Sequence, residues 1–283
     1  MCKLISATFL RLKKSALFYV FILGLIVSGC CMGLSVSTEN AEVPLDGILF
    51  QFLPLIGVIL AVFISLFIGT EYSDGTIRNK LVVGHSRSAV YFSNLIVCSC
   101  VAIIFSLAYI MPVAIIGIIK GGVFVSGLSA ICFYVICALL IAISNTSLML
   151  LIAVSINNKA YSAVICVILA IATLFCASTI NQRLSEPEMY DSYVGVNEFG
   201  VPTAVEKMPN PKYVDGTNRQ VLEFLNDALP SGQAIQLAGK FDSEEAANGN
   251  SFQYPLNWVE YAIAFSAILT VIGLATFKKK DIK

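Results

Sequence analysis

Apolar residues run along this chain in six long blocks, near 16–36, 48–69, 91–119, 126–155, 160–180 and 257–277. A helix needs about 20 such residues to cross hydrocarbon, so each block predicts one membrane crossing. The third and fourth blocks exceed a simple crossing, which predicts tilt, a kink near Pro112 or a break around Asn145-Thr146-Ser147. Residues 2–14 follow another rhythm. At about 100° per residue, Leu4, Ile5, Thr8, Phe9 and Leu12 share one face, with Lys3, Arg11, Lys13 and Lys14 elsewhere. That pattern predicts an amphipathic helix lying on the membrane surface, and a plain basic anchor flank is the simpler alternative.

One long polar stretch, 181–256, separates the fifth and sixth blocks. Thr217 and Gln220 suit a capping box, and Val221, Leu222, Phe224, Leu225 and Leu229 form an apolar stripe. Pro230-Ser231-Gly232 would end that helix, and a shorter one would run through Ala234, Ile235 and Leu237. The expected fold is an all-α membrane protein of six transmembrane helices. It has an N-terminal interface helix, a cytoplasmic elbow between helices 2 and 3, and a partly helical outer insertion before helix 6. The expected divisions are a transmembrane unit at 1–180, a cap at 181–256, and the last span with a basic tail at 257–283.

Composition agrees with a bilayer as solvent. Hydrophobic residues make up 57% of the chain and charged residues 13%, against about 25% charge in soluble domains. The net charge of zero hides an asymmetry that sets orientation. Twelve cations fall on one side: Lys3, Arg11, Lys13, Lys14, Arg78, Lys80, Arg87, Lys159, Lys278, Lys279, Lys280 and Lys283. The short loops of the other side hold Lys120 alone. The positive-inside rule then places both termini in the cytoplasm of a bacterial cell, with the chain in the inner membrane. The outer segment carries eleven acids against five bases. Its acidity would attract cationic peptides, or simply keep that surface solvated.

Several chemistries are excluded. Eight of the nine cysteines lie in the apolar blocks and Cys2 in the entry helix, so none is placed to staple the outer segment. Cys98, Cys100 and the Cys30-Cys31 pair lack His or carboxylate companions at zinc-like spacing and read as packing residues. Val27-Ser28-Gly29-Cys30 has the form of a lipoprotein processing box, but five further spans favour an ordinary first crossing. No Asp, Lys or Arg stands at mid-depth in any span, against an ion-coupled carrier. The phosphate-loop spacing is missing too; Gly232 to Gly239-Lys240 has six intervening residues and continues into Phe241. No catalytic, cofactor-binding or metal-ligating residue is therefore expected, and nucleic acid is not an expected partner. Asn145, Thr146, Ser147, Ser155, Ser93, Asn94 and Ser99 would either line a polar seam or, the favoured reading, bond between helices. Phe52, Phe63 and Phe67 share one face of the second span and would border a lipidic route or a dimer interface.

The charged island Glu71-Tyr72-Ser73-Asp74-Gly75-Thr76-Ile77-Arg78-Asn79-Lys80 cannot rest in hydrocarbon and must emerge in the cytoplasm. Gly69-Thr70 before it, and Leu81, Gly84 and Ser86-Arg87 after it, complete a motif that resembles the ABC-2 type permease family, the membrane subunits of ATP-driven exporters. The resemblance implies a separate cytoplasmic ATPase subunit that binds ATP and magnesium and docks on this elbow. It assigns coupling to Glu71, Asp74, Gly75, Thr76, Arg78, Asn79, Lys80 and Arg87, with Thr76 capping a short helix. It also implies a homodimer, or a pair with a related permease. The expected cargo is hydrophobic or amphiphilic, with antimicrobial peptides and lipids foremost. A receptor or immunity protein that binds a peptide at its outer cap without transporting it is the alternative.

Overall fold

Residues 1–36, 44–196, 202–241 and 255–280 are described by the computed structural model. The chain opens with α1 (Cys2–Lys13) and the first span α2 (Ala16–Leu34). A short α3 (Leu45–Phe50) leads through Gln51 and Phe52 into α4 (Leu53–Ser73), and the two together make the second span. The elbow helix α5 (Thr76–Val82) precedes α6 (Arg87–Ile119), α7 (Leu128–Ser155) and α8 (Lys159–Ser185). The outer segment holds β1 (Met189–Val196), β2 (Pro202–Pro209), α9 (Gly216–Ala228) and α10 (Pro230–Gly239), and α11 (Leu256–Lys279) is the last span. Among the described residues, six helical spans are thus long and apolar enough to cross a membrane, as the hydrophobic blocks predict.

The expected break in α7 does not occur, because its polar run is satisfied within the helix. Asn145 Nδ2, Thr146 Oγ1 and Ser147 Oγ donate to the carbonyls of Ile141, Ala142 and Ile143, four residues back, at 3.1, 2.9 and 3.2 Å. Such back-bonding removes the cost of a hydroxyl or amide in an apolar core. Nor does Pro112 end its helix; α6 continues through it. Pro112 packs on α2, where a Cβ added to Gly29 would lie 3.3 Å from its own Cβ and 2.7 Å from the Tyr109 carbonyl oxygen. One turn on, a Cβ at Gly33 would meet the Cβ of Ile116 at 2.9 Å. The Gly29-x-x-x-Gly33 strip lets the two backbones approach closely, the packing expected where lipid gives no hydrophobic drive between helices.

Phe52, Phe63 and Phe67 are buried, which corrects the expectation that they border a lipidic route or a subunit interface. Phe63 packs edge-on against Phe105 at 5.3 Å and parallel to Phe67 at 5.5 Å, with Phe18 and Phe21 closing the cluster. Ser144 Oγ bonds the Ala262 carbonyl and lies 2.9 Å from Ser266 Oγ, joining α7 to α11. Of the polar residues expected to bond between helices, Ser93 and Asn94 do so, whereas Asn145, Thr146, Ser147 and Ser155 bond carbonyls of their own helix four residues back.

The segment between α8 and α11 differs from the expectation in three ways. An antiparallel hairpin pairs β1 with β2, from Met189 opposite Pro209 to Val196 opposite Pro202. Pro230 opens the second helix rather than closing the first, since a proline at the first helical position gives up an N–H that has no intrahelical partner. Asp215, not Thr217, holds the N-cap position of α9, and no side chain caps it. Helix α10 packs on α3, α4, α7 and α8 through buried Ala234 and Leu237, so it covers the end of the bundle that holds α3. Gln233 Nε2 donates to the carbonyls of Asp227 and Trp258, and Trp258 Nε1 to Asp227 Oδ1, pinning α10 to the start of α11. The acids Asp242, Glu244 and Glu245 lie outside the described residues.

Candidate functional site

Glu71 stands in the last turn of α4, and the chain then reverses within a few residues. Gly75 makes the reversal at φ 64°, a left-handed conformation that glycine adopts without the penalty of a Cβ. It also occupies the N-cap of α5, so Thr76 is the first helical residue rather than the cap. Buried Ile77 anchors α5 to the bundle. A second left-handed glycine, Gly84 at φ 96°, turns the chain again, and Ser86 Oγ accepts from the Ala89 amide to start α6.

Glu71 is only 1% exposed, yet it does not stand alone. Lys80 Nζ of α5 donates to its Oε1 at 2.5 Å, and Arg11 of α1 forms an ion pair with the same oxygen. Asn94 Nδ2 of α6 donates to Oε2 at 2.8 Å. One carboxylate therefore joins the interface helix, the second span, the elbow helix and the third span. A buried carboxylate is tolerable only with such compensation. Arg11 is itself held by the Phe67 carbonyl and stacks 4.0 Å above the Phe67 ring. Thr8 Oγ1, one turn earlier on α1, lies 3.2 Å from Ser93 Oγ, a second link to α6.

Burial lowers the affinity of both cations for protons. The Arg11 guanidinium is pushed down to about 10, mainly by loss of water, and remains charged at neutral pH. The Lys80 ammonium is held down to about 8, by desolvation first and by the neighbouring Arg11 charge second.

The flanks of the elbow are tied in as well. Tyr72 Oη donates to the Val154 carbonyl at the end of α7, at 2.7 Å. Lys280 Nζ donates to the same carbonyl at 2.7 Å and lies 4.2 Å from the centre of the Tyr72 ring. Arg87 donates to the carbonyls of Phe277, Lys278 and Lys280, capping the end of the last helix.

The residues singled out by the sequence thus separate into two groups. Glu71, Lys80 and Arg87 spend their charge inside the chain, and Gly75 and Thr76 shape the turn. Asp74, Arg78 and Asn79 face outward, joined by Val82 and Val83, which are 79% and 78% exposed. Of the interface-helix cations, Lys3, Lys13 and Lys14 are exposed and Arg11 turns inward. Sequence reasoning missed Arg11 and Asn94 as partners of Glu71. Arg11 follows buried Thr8 by three residues and so borders the inward face, the one signal that pointed to it. The exposed valine pair was also missed, although two adjacent apolar residues in a polar loop are visible in the sequence. Among the described residues, no three His, Cys, Asp or Glu side chains come together to hold a metal ion.

No curated protein matches the chain. A family model described as ABC-2 family transporter protein matches residues 4–175, more than half of the 283. The match begins in α1 and ends in α8, so it takes in Arg11, Glu71, Lys80 and Asn94 together with the whole elbow. With that match over more than half of its length, and six helical spans among the described residues long and apolar enough to cross a membrane, the chain belongs to the ABC-2 family of transporter proteins.

Proposed function

We propose that this chain is the permease subunit of an exporter, powered by a separate cytoplasmic ABC ATPase that docks on the outward face of α5. The observation that carries this reading is the Glu71 cluster. A helix exposed on one face and pinned by Ile77 and Lys80 on the other is suited to receive a push and pass it on. Asp74, Arg78 and Asn79 offer charge and hydrogen bonds to an ATPase groove, and Val82 with Val83 offers apolar area at its centre. Displacement of α5 reaches α4 through Glu71, α1 through Arg11 and α6 through Asn94.

Two such subunits, identical or related, would face two ATPases. The basic termini lie in the cytoplasm, as the distribution of Lys and Arg requires. The cargo is hydrophobic or amphiphilic, consistent with spans that carry no Asp, Lys or Arg at mid-depth and with an acidic outer segment that favours cationic peptides.

Co-purification tests the docking surface. Val82→Asp with Val83→Asp is expected to abolish recovery of an ABC ATPase with the tagged permease, while the variant still inserts and folds. Recovery of no ATPase with the wild-type chain, alongside binding of a cationic peptide at the outer segment, would favour a receptor instead.

A further inference from the structure

Near the cytoplasmic ends of α7 and α11 lies an open groove of about 560 Å³, lined by Ser155, Val271, Ile272, Ala275, Thr276, Lys279 and Lys280. Val271, Ile272 and Ala275 are exposed apolar walls on a membrane-crossing helix, so they face acyl chains rather than water. The other end of the groove is cationic. Lys279 is exposed there, Lys278 precedes it, and Lys280 meets two neutral groups, the Val154 carbonyl and the Tyr72 ring. No carboxylate comes within salt-bridge distance of these three lysines among the described residues; the described ion pairs lie at Glu71 and at Glu223. Among the described residues, the apolar wall thus leads into a cluster of ammonium groups with no carboxylate partner, at the end of a helix long and apolar enough to cross a membrane.

We infer that this groove is a binding site for an anionic phospholipid of the inner leaflet, with one acyl chain along Val271 and Ala275 and the headgroup at Lys279 and Lys280. A free phosphate would leave the apolar walls uncovered, and a zwitterionic lipid would leave the lysines uncompensated. Basic pockets between helices on the cytoplasmic side are suited to such headgroups. Desolvation holds the Lys280 ammonium down to about 8, a penalty that a bound anion would relieve. The position matters for the elbow, because Lys280 stacks on Tyr72 and its carbonyl accepts from Arg87. Occupancy would steady the contacts on which the elbow pivots. The inference rests on the membrane placement of α7 and α11 and not on any ATPase partner.

Native mass spectrometry of the detergent-extracted chain, titrated with phosphatidylglycerol or phosphatidylcholine, reads the site. Phosphatidylglycerol is expected to bind at one tight site per chain and phosphatidylcholine not to. Lys279→Gln should weaken that binding about fivefold, the worth of one lysine near an anionic headgroup. Ala275→Trp, at an exposed position, should block the acyl channel without altering charge. Lys14→Gln removes the same charge from the same membrane side away from the groove and should leave binding unchanged. Soluble glycerophosphoglycerol should fail to compete. Equal binding in Ala275→Trp, equal weakening by Lys14→Gln, or full competition by the soluble headgroup would each overturn the assignment.

Discussion

Glu71 is itself buried and holds two largely buried cations and an amide, so its removal does more than delete contacts. Glu71→Ala strands the Arg11 and Lys80 charges in a low-dielectric setting, a class of change that costs about 3–5 kcal/mol. A clear fall in the thermal unfolding midpoint in nanodiscs is expected, with Glu71→Leu/Lys80→Met/Arg11→Met recovering much of it. Lys80 adds a pH signature. Its folded value of about 8 lies below its ordinary 10.5, so between those values the unfolded chain binds more protons and this lysine's contribution to stability rises with pH. Coupling runs the other way. Above about 8 the ammonium turns neutral and its ion pair with Glu71 is reduced to a hydrogen bond. Cargo-coupled turnover should therefore decline through that pH in the wild type and stay level in Lys80→Arg, whose guanidinium keeps its charge. A parallel decline in both would remove Lys80 from the pathway.

At the scale of elements, close backbone approach decides the packing of the first span against the third. Gly29→Leu must push its side chain into the Tyr109 carbonyl and Pro112, neither of which can swing away. Overpacking of this kind costs about 1–3 kcal/mol or separates the helices. Cysteine cross-linking between α2 and α6 should drop in Gly29→Leu and persist in Gly24→Leu, where open space surrounds the glycine. The spans were legible because a run of some twenty apolar residues has a single stable form in lipid. Helix breaks were less so: Asn145, Thr146 and Ser147 read as an interruption until their hydroxyls and amide are seen to bond backward. The pairing of β1 with β2 escaped notice because the segment's stronger helical stripe drew the reading. Pro230 likewise marks either the end of one helix or the start of the next, and only packing of α10 on the bundle settles which.

For the whole molecule, the elbow was visible in the sequence as polar residues where none should lie in hydrocarbon, but its division of labour was not. Charge alone put Glu71, Asp74, Arg78, Lys80 and Arg87 in one category. Tertiary contact separates the inward three from the outward two, since Arg11 and Asn94 come from helices distant along the chain. The architecture that results has one end of the bundle covered by α10 and the other cross-linked at Glu71, Tyr72 and Arg87. Rocking of the spans about such a base would follow the elbow as a unit. The measurement closest to that claim is the amount of cargo moved per ATP hydrolysed by the co-purified complex in proteoliposomes, with a fluorescent cationic amphipathic peptide as probe. Glu71→Gln should retain the ATPase subunit while the ratio of peptide moved to ATP consumed falls at least about tenfold, the effect of about 1.4 kcal/mol of lost coupling. An unchanged ratio in Glu71→Gln, with the ATPase still bound, would contradict transmission through the Glu71 cluster.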